Sequence, residues 1–138
     1  MEQYHGTNRA SANVISTGHI DVNLGGGELG KGFYTGDLKH RAFNWAWHQY
    51  QQNKSVVVIN FNDDDFLELN PMCMELATAR RYRRHIRDIG ATRTFEFFEN
   101  AVWAPVVGRE YFNFNQIKFE SITAQNFLNH ANVSKVVL

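Results

Sequence analysis

The sequence predicts a single α+β domain, because strand-like and helix-like segments follow one another irregularly and no βα unit repeats. The chain has 138 residues, of which 43% are hydrophobic, so one sizeable core is expected and two domains are not. Neither an internal repeat nor a linker-like stretch divides the chain. We therefore predict one domain over residues 1–138.

Composition excludes several classes of protein. The 14 Lys and Arg residues balance the 14 Asp and Glu residues, so the overall charge gives no attraction to nucleic acid or anionic membranes. No apolar run reaches the roughly 18 residues of a membrane span, and no secretory signal is visible, so we expect no membrane association. A cytoplasmic protein is expected, or one delivered into the cytoplasm of a target cell. Cys73 is the single cysteine, which excludes an internal disulfide and indicates a buried thiol beside Met72 and Met74.

The first half of the chain predicts two helices and two strands. They cover residues 9–16 (helix), 32–35 (strand), 38–52 (helix) and 55–61 (strand). Ala10, Val14 and Ile15 are expected to face inward from the first helix, which ends before Gly18. Asp37 is expected to cap the second helix. A glycine-rich loop, residues 25–30, leads into a strand and lacks the GxGxxG fingerprint, so a doubly wound dinucleotide fold is disfavoured.

The second half predicts shorter strands around two further helices. They cover residues 66–69 (strand), 72–89 (helix), 101–107 (strand), 116–120 (strand), 122–131 (helix) and 133–138 (strand). The stretch over 95–107 fits either a strand or a helix, and its part over 101–107 favours the strand. The strand over 116–120 alternates, so Gln116, Lys118 and Glu120 are expected on a half-exposed face. Trp103 and the Phe95 to Phe98 cluster are expected in the core.

Three short segments stand in an order and register that matters for chemistry. The first is Tyr4-His5-Gly6-Thr7, and the second is Leu29-Gly30-Lys31-Gly32-Phe33-Tyr34-Thr35. The third is a helix that places Trp45 eleven residues after Tyr34. This pattern resembles the ADP-ribosyltransferase superfamily, in particular the His-Tyr-Glu branch of diphtheria toxin and the poly(ADP-ribose) polymerases. Within that branch the segments are most similar to small bacterial members, and the implied fold is a split β-sheet core with flanking helices.

The resemblance implies a nicotinamide site and assigns its residues. His5 would bind the ribose next to nicotinamide, and the backbone of Gly6 would pair with the carboxamide, because a residue without a side chain lets the ring approach closely. Tyr34 would stack on one face of the ring. Trp45 would cover the other face in place of the usual tyrosine, and its wide π face suits a cationic ring. The binding set implied in this way also includes the motif residues Thr7 and Gly32 and the helix residue Ala42, which stands where some members have a serine.

The acidic residue of the site departs from the family pattern. When nicotinamide departs, positive charge develops on the anomeric carbon of the ribose. In the family, a glutamate on a late strand faces this charge. Asn115-Gln116-Ile117 stands where the family has Asn-Glu-aromatic, so the position falls on Gln116, a neutral amide. Glu120 lies on the same strand face, roughly 13 Å farther along, and would replace it only if a bulge shifted the register. Glu99 and Glu110 are weaker alternatives.

The implied activity is mono-ADP-ribosyltransfer from NAD⁺, used as co-substrate, to a protein or nucleic acid, with release of nicotinamide. Such a chain would suit a toxin or effector, with a neutralising partner protein as a further implied partner. NAD glycohydrolysis, and a catalytically weak or inactive NAD or ADP-ribose binding module, are the alternatives. The histidine spacings give no metal motif, so we expect no metal. Five arginines between Arg80 and Arg87 indicate either a solvated helix face, which we favour, or an anion-binding surface.

Overall fold

The computed structural model describes residues 1–108 and 114–138, and it confirms the α+β class. Its strands are β1 (Glu2–Asn8), β2 (Phe33–Gly36), β3 (Lys54–Asn60), β4 (Met72–Cys73), β5 (Ala101–Pro105), β6 (Asn115–Phe119) and β7 (Ser134–Val137). Its α-helices are α1 (Arg9–Ser16), α2 (Lys39–Tyr50), α3 (Asp63–Leu67), α4 (Leu76–Asp88) and α5 (Ile122–Asn129). A single 3₁₀ turn, Gln51–Asn53, follows α2. Among the described residues, no helix is both long and apolar enough to cross a membrane.

The strands form one sheet in the order β4-β5-β6-β2-β1-β3-β7, and only β4 and β5 run parallel. β1 pairs with β3 along its whole length, from Glu2 to Asn8, and β2 pairs with β6 along its whole length. The junction between these two halves is weak, because β1 and β2 share only the register pair Tyr4 and Gly36. The sheet therefore opens in its middle, beside Gly6 and Tyr34.

Each face of the sheet is covered by its own helices. One face carries an aromatic and aliphatic core into which α1, α3 and α5 insert Ile15, Phe66 and Leu128. On the other face, α4 packs Ala79 over Val102 and its neighbours. Helix α2 also lies on this second face, where it crosses β1 at Gly6. Side chains of a strand alternate between faces, so Gly6, Tyr34 and Gln116 belong to the second face.

The prediction of a strand over 66–69 is wrong, because helix α3 ends there. The side chain of Asn62 accepts hydrogen bonds from the backbone N–H groups of Asp64 and Asp65, so it caps the helix. Aspartates in the first turn, with Asp63 the first of three, stabilise the positive end of the helix dipole. The helix predicted over 72–89 begins only at Leu76, because Met72 and Cys73 form β4 and pair with β5.

Several predicted side-chain environments are also wrong. In α1 the buried residues are Ala12 and Ile15, whereas Ala10 and Val14 are exposed, because the helix is rotated relative to the predicted stripe. Two other side chains that were expected to be buried are exposed. These are the side chains of Cys73 and Phe98, the latter 87% exposed at a positive φ of 57°.

The half-exposed face predicted for β6 is buried instead. Lys118 is fully buried, and Gln116 and Glu120 are nearly so, because α4 and the loop before β5 cover that face. Asp37 does not cap α2, whose N-cap residue is Leu38. The Asp37 carboxylate instead accepts from the backbone N–H and the side-chain amide of Asn115, which fixes the end of β2 to the start of β6.

Candidate functional site

The opening between β1 and β2 exposes backbone hydrogen-bonding groups. In an antiparallel pair, successive residues direct their N–H and C=O groups to opposite sides. Met1, just before β1, and Phe61, just after β3, exchange two backbone hydrogen bonds, of 2.7 and 3.1 Å. Gly6 lies an odd number of residues after Met1, so its backbone N–H and C=O face away from β3. They face the opening. On the β2 side of the opening, the Asp37 N–H donates to the carbonyl of Asn115 in β6 (3.2 Å). Tyr34 lies an odd number of residues before Asp37, so its backbone N–H and C=O face the opening as well.

His5 spans the opening with its side chain. Its Nδ1 lies 2.6 Å from the carbonyl oxygen of Tyr34, and because a carbonyl only accepts, Nδ1 carries the proton and donates. The ring stacks on Phe33 with the centroids 4.2 Å apart. Burial lowers the pKa of His5, although the bond to Tyr34 opposes this shift, so the ring is neutral at pH 7. Its Nε2 then keeps a lone pair that no group among the described residues uses.

Tyr34 has a fixed ring and a neutral hydroxyl. The hydroxyl donates to the Gly30 carbonyl (2.6 Å) and accepts from the Leu29 N–H (3.1 Å). The backbone of Gly27 lies against the ring, since a Cβ on Gly27 would approach its Cζ to 2.8 Å. Burial raises the pKa of Tyr34 well above its usual range. The glycine-rich loop thus holds the aromatic plane in one orientation and leaves no proton for it to exchange near pH 7.

Gly6 is required by the packing of α2 on β1. A Cβ on Gly6 would lie 2.5 Å from the carbonyl oxygen of Ala42, so only glycine permits α2 to cross β1 so closely. Ala42 contributes no polar side-chain atom to the opening. Thr7 lies one position farther along β1, where its buried side chain belongs to the opposite face.

Trp45 stands on the flank of α2 that borders the second half of the sheet. Arg41 lies on the same side of the helix as Trp45, because residues four apart on a helix are neighbours. The Arg41 guanidinium lies 5.7 Å from the ring of Phe114, just before β6, and so shows which way this side faces. The indole is 52% exposed and contacts the ring of Tyr50. Among the described residues, Trp45 and Tyr34 do not touch each other. Trp45 is therefore a half-exposed aromatic plane on the helix that crosses β1 at Gly6.

Gln116 lies on β6 and pairs with Gly36 of β2, the residue whose pair with Tyr4 bounds one end of the opening. Its side chain is 7% exposed, and its Nε2 donates to Oε1 of Glu28 (2.6 Å) and to the carbonyl of Pro105 (3.4 Å). Both of these partners accept, so the amide nitrogen must point toward them. The amide oxygen of Gln116 is the atom left without a partner among the described residues, and it is not sealed from solvent.

Glu28 is the site residue that the sequence analysis missed. Its carboxylate accepts from the backbone N–H groups of Val107 (2.6 Å) and Gly108 (3.2 Å) and contacts the Arg83 guanidinium at 3.5 Å. Arg83 of α4 thereby differs from Arg80, Arg84 and the other exposed arginines of that helix. The sequence contained one signal for this role, because Glu28 is the only acidic residue of the loop over 25–30, directly before the strand that contains Tyr34.

Glu120 has a different position and a different set of partners. The pairing of β2 with β6 is regular, so no bulge brings Glu120 to the level of Gln116. Its carboxylate accepts from Lys118 Nζ (2.6 Å) and from the N–H groups of Phe97 and Glu99. Gly32 serves the same cluster, because its missing side chain makes room for the Lys118 stem. Glu110 lies outside the described residues.

Two concavities occur elsewhere on the described surface. One, of about 440 Å³, lies among Arg9, Phe43, Lys54 and Leu138, and the other, of about 330 Å³, lies beside Tyr82 of α4. Neither is lined by His5, Tyr34 or Trp45. Among the described residues, no cluster of His, Cys, Asp and Glu side chains is suited to a metal ion.

Comparison with protein-family models finds no match to this chain, and comparison with curated proteins finds none either.

Proposed function

We propose that the opening between β1 and β2 binds the nicotinamide end of NAD⁺ and that the protein transfers ADP-ribose to a protein or nucleic acid. One observation carries this proposal. The sheet ladder stops after the pair Tyr4 and Gly36, which leaves the peptide N–H and C=O of Gly6 directed into the gap. A primary carboxamide has one acceptor and two donor hydrogens, so it matches such a donor and acceptor pair.

The side chains around the gap suit the rest of the ligand. Tyr34 supplies an immobilised aromatic plane, and Trp45 supplies a second, exposed one on the neighbouring helix. A pyridinium ring is attracted to such faces by cation–π interaction. The neutral His5 offers Nε2 as an acceptor for a ribose hydroxyl, while its Nδ1 proton is already committed to the Tyr34 carbonyl.

The proposed reaction breaks the bond between the anomeric carbon C1′ and the nicotinamide nitrogen. The electron pair leaves with nicotinamide, which becomes neutral, and positive charge develops on C1′ and the ring oxygen of the ribose. The acceptor then forms a bond to C1′ with its own lone pair and releases its proton to solvent. The amide oxygen of Gln116 would accept from the ribose 2′-hydroxyl and direct negative electrostatic potential toward C1′.

A binding module without turnover is the second candidate, and the neutral amide at Gln116 is the observation in its favour. Incubation with NAD⁺ labelled on the adenylate, with and without cell lysate, separates the two candidates. We expect nicotinamide release together with label on a macromolecule of the lysate. Release without transfer would identify a glycohydrolase, and binding without release would identify the module. Absence of NAD⁺ binding would contradict all three.

A further inference from the structure

We infer that Glu28 supplies the negative charge of the proposed site and delivers it through the amide of Gln116. This inference rests on the proposed function and extends it, because it assigns the source of the charge that faces C1′. The 2.6 Å hydrogen bond between Glu28 Oε1 and Gln116 Nε2 is the contact that carries it. Glu28 itself is a positioning residue, because it acts through the amide of Gln116 that it holds.

The contacts of Glu28 fix its place. Two backbone N–H groups, those of Val107 and Gly108, donate to the carboxylate, and the Arg83 guanidinium lies 3.5 Å from it. Together these contacts hold the side chain in one orientation. The side chain of Glu28 is only 16% exposed, so water screens this charge weakly.

The orientation of Gln116 follows from Glu28. An amide has a donor end and an acceptor end, and Glu28 takes the donor end. The amide oxygen must then face away from Glu28, where no described group binds it. A hydrogen bond to a carboxylate also polarises the amide, which increases the partial negative charge on that oxygen. The pair Glu28 and Gln116 thus provides an acceptor backed by a full negative charge.

The same geometry explains why Glu28 and a glutamate at position 116 could not both carry a negative charge. Two carboxylates at the present separation of 2.6 Å could not both ionise, and one proton would be shared between them. The charge can occupy either position but not both. This reciprocity provides a direct test by exchange of the two residues.

The test compares Glu28→Gln, Gln116→Glu and the exchanged double variant E28Q/Q116E. Because the charge acts on a cation that forms in the transition state, Glu28→Gln should lower kcat for nicotinamide release by about 100-fold with little change in KM. Gln116→Glu should acquire a new ionisation in its pH profile, from the shared proton. The double variant, which restores a single carboxylate, should recover at least about a tenth of the wild-type kcat.

A second readout does not require turnover. The ratio of affinities for NAD⁺, whose ring is cationic, and NADH, whose ring is neutral, should fall in Glu28→Gln and recover in the double variant. Glu96→Gln is the matched control, because it removes a loop carboxylate that pairs with Lys31 and makes no described hydrogen bond to Gln116 or Glu28. That variant should keep wild-type values in both assays.

The outcomes separate the inference from the proposed function. If the wild type releases nicotinamide or prefers NAD⁺ but Glu28→Gln behaves like it, Glu28 only anchors its loop and the inference is overturned. The inference also fails if the double variant is no better than Glu28→Gln in both readouts. If the wild type binds neither dinucleotide, the proposed function fails and the inference fails with it.

Discussion

Glu120→Gln is expected to destabilise the folded protein by about 3–5 kcal/mol, the cost of leaving a buried charge without its partner. Lys118 Nζ is fully buried and has three partners, namely the Glu120 carboxylate (2.6 Å), the Leu29 carbonyl (2.8 Å) and the ring of Phe97. Burial lowers the pKa of Lys118, and the bond to Glu120 opposes this shift. Without the carboxylate, the ammonium would lose the negative charge that is in direct contact with it.

The reverse change should cost less. Lys118→Met leaves the Glu120 carboxylate with its two backbone N–H donors, from Phe97 and Glu99, so that group remains partly compensated. Urea denaturation of both variants measures the difference. As a control, Glu96→Gln breaks an ion pair near the surface, which is worth about 0–1 kcal/mol. A loss below about 1 kcal/mol in Glu120→Gln would show that this ion pair does not organise the core.

Tyr34→Ala is expected to lower kcat/KM for nicotinamide release by about 100-fold, which corresponds to about 2.7 kcal/mol of transition-state stabilisation. The reason is that this ring is the rigid plane on which nicotinamide would stack, held by Gly27 behind it and by two hydrogen bonds at its hydroxyl. Tyr34→Phe retains the plane and loses only the hydroxyl bonds. It should reduce stability by about 1–2 kcal/mol and activity far less than the alanine does.

Trp45→Ala should act in the same direction as Tyr34→Ala. Trp47→Ala is its matched control, because Trp47 is an exposed tryptophan of the same helix that lies over Lys54. Steady-state nicotinamide release, with thermal melts to verify folding, compares the four variants. Equal activity of Tyr34→Ala and Tyr34→Phe would contradict stacking on this ring.

Local sequence patterns predicted the elements around the opening well. The helix over 9–16 was predicted with the bounds that α1 has, and Gly18 adopts the left-handed conformation expected beyond its end, with φ of 85°. The strand that contains Tyr34 and the alternating strand at Gln116 were also found in place. These segments were predictable because their periodicity and turn residues favour the same structure that tertiary packing selects.

Long-range contacts explain what the sequence did not predict. Glu28 meets Gln116 across 88 positions of the chain, and nothing in the local pattern of the glycine-rich loop specifies that partner. The burial of Lys118 likewise depends on α4 and on the loop before β5, which cover a face that alternation alone assigns to solvent. Asp37 looked like a helix cap, but its carboxylate binds Asn115, 78 positions away.

The most direct test of the account is an NMR titration of the wild-type protein with nicotinamide. We expect saturable chemical-shift changes of the Gly6 backbone amide and of the Trp45 indole N–H. The Gly6 amide would bind the carboxamide, and the Trp45 indole would lie beside the nicotinamide ring. The amide of Gly90, which has open space around it beyond α4, should not move. If the signals of the Gly6 amide and the Trp45 indole both stay unchanged at saturating nicotinamide, there is no nicotinamide site in the opening of the sheet.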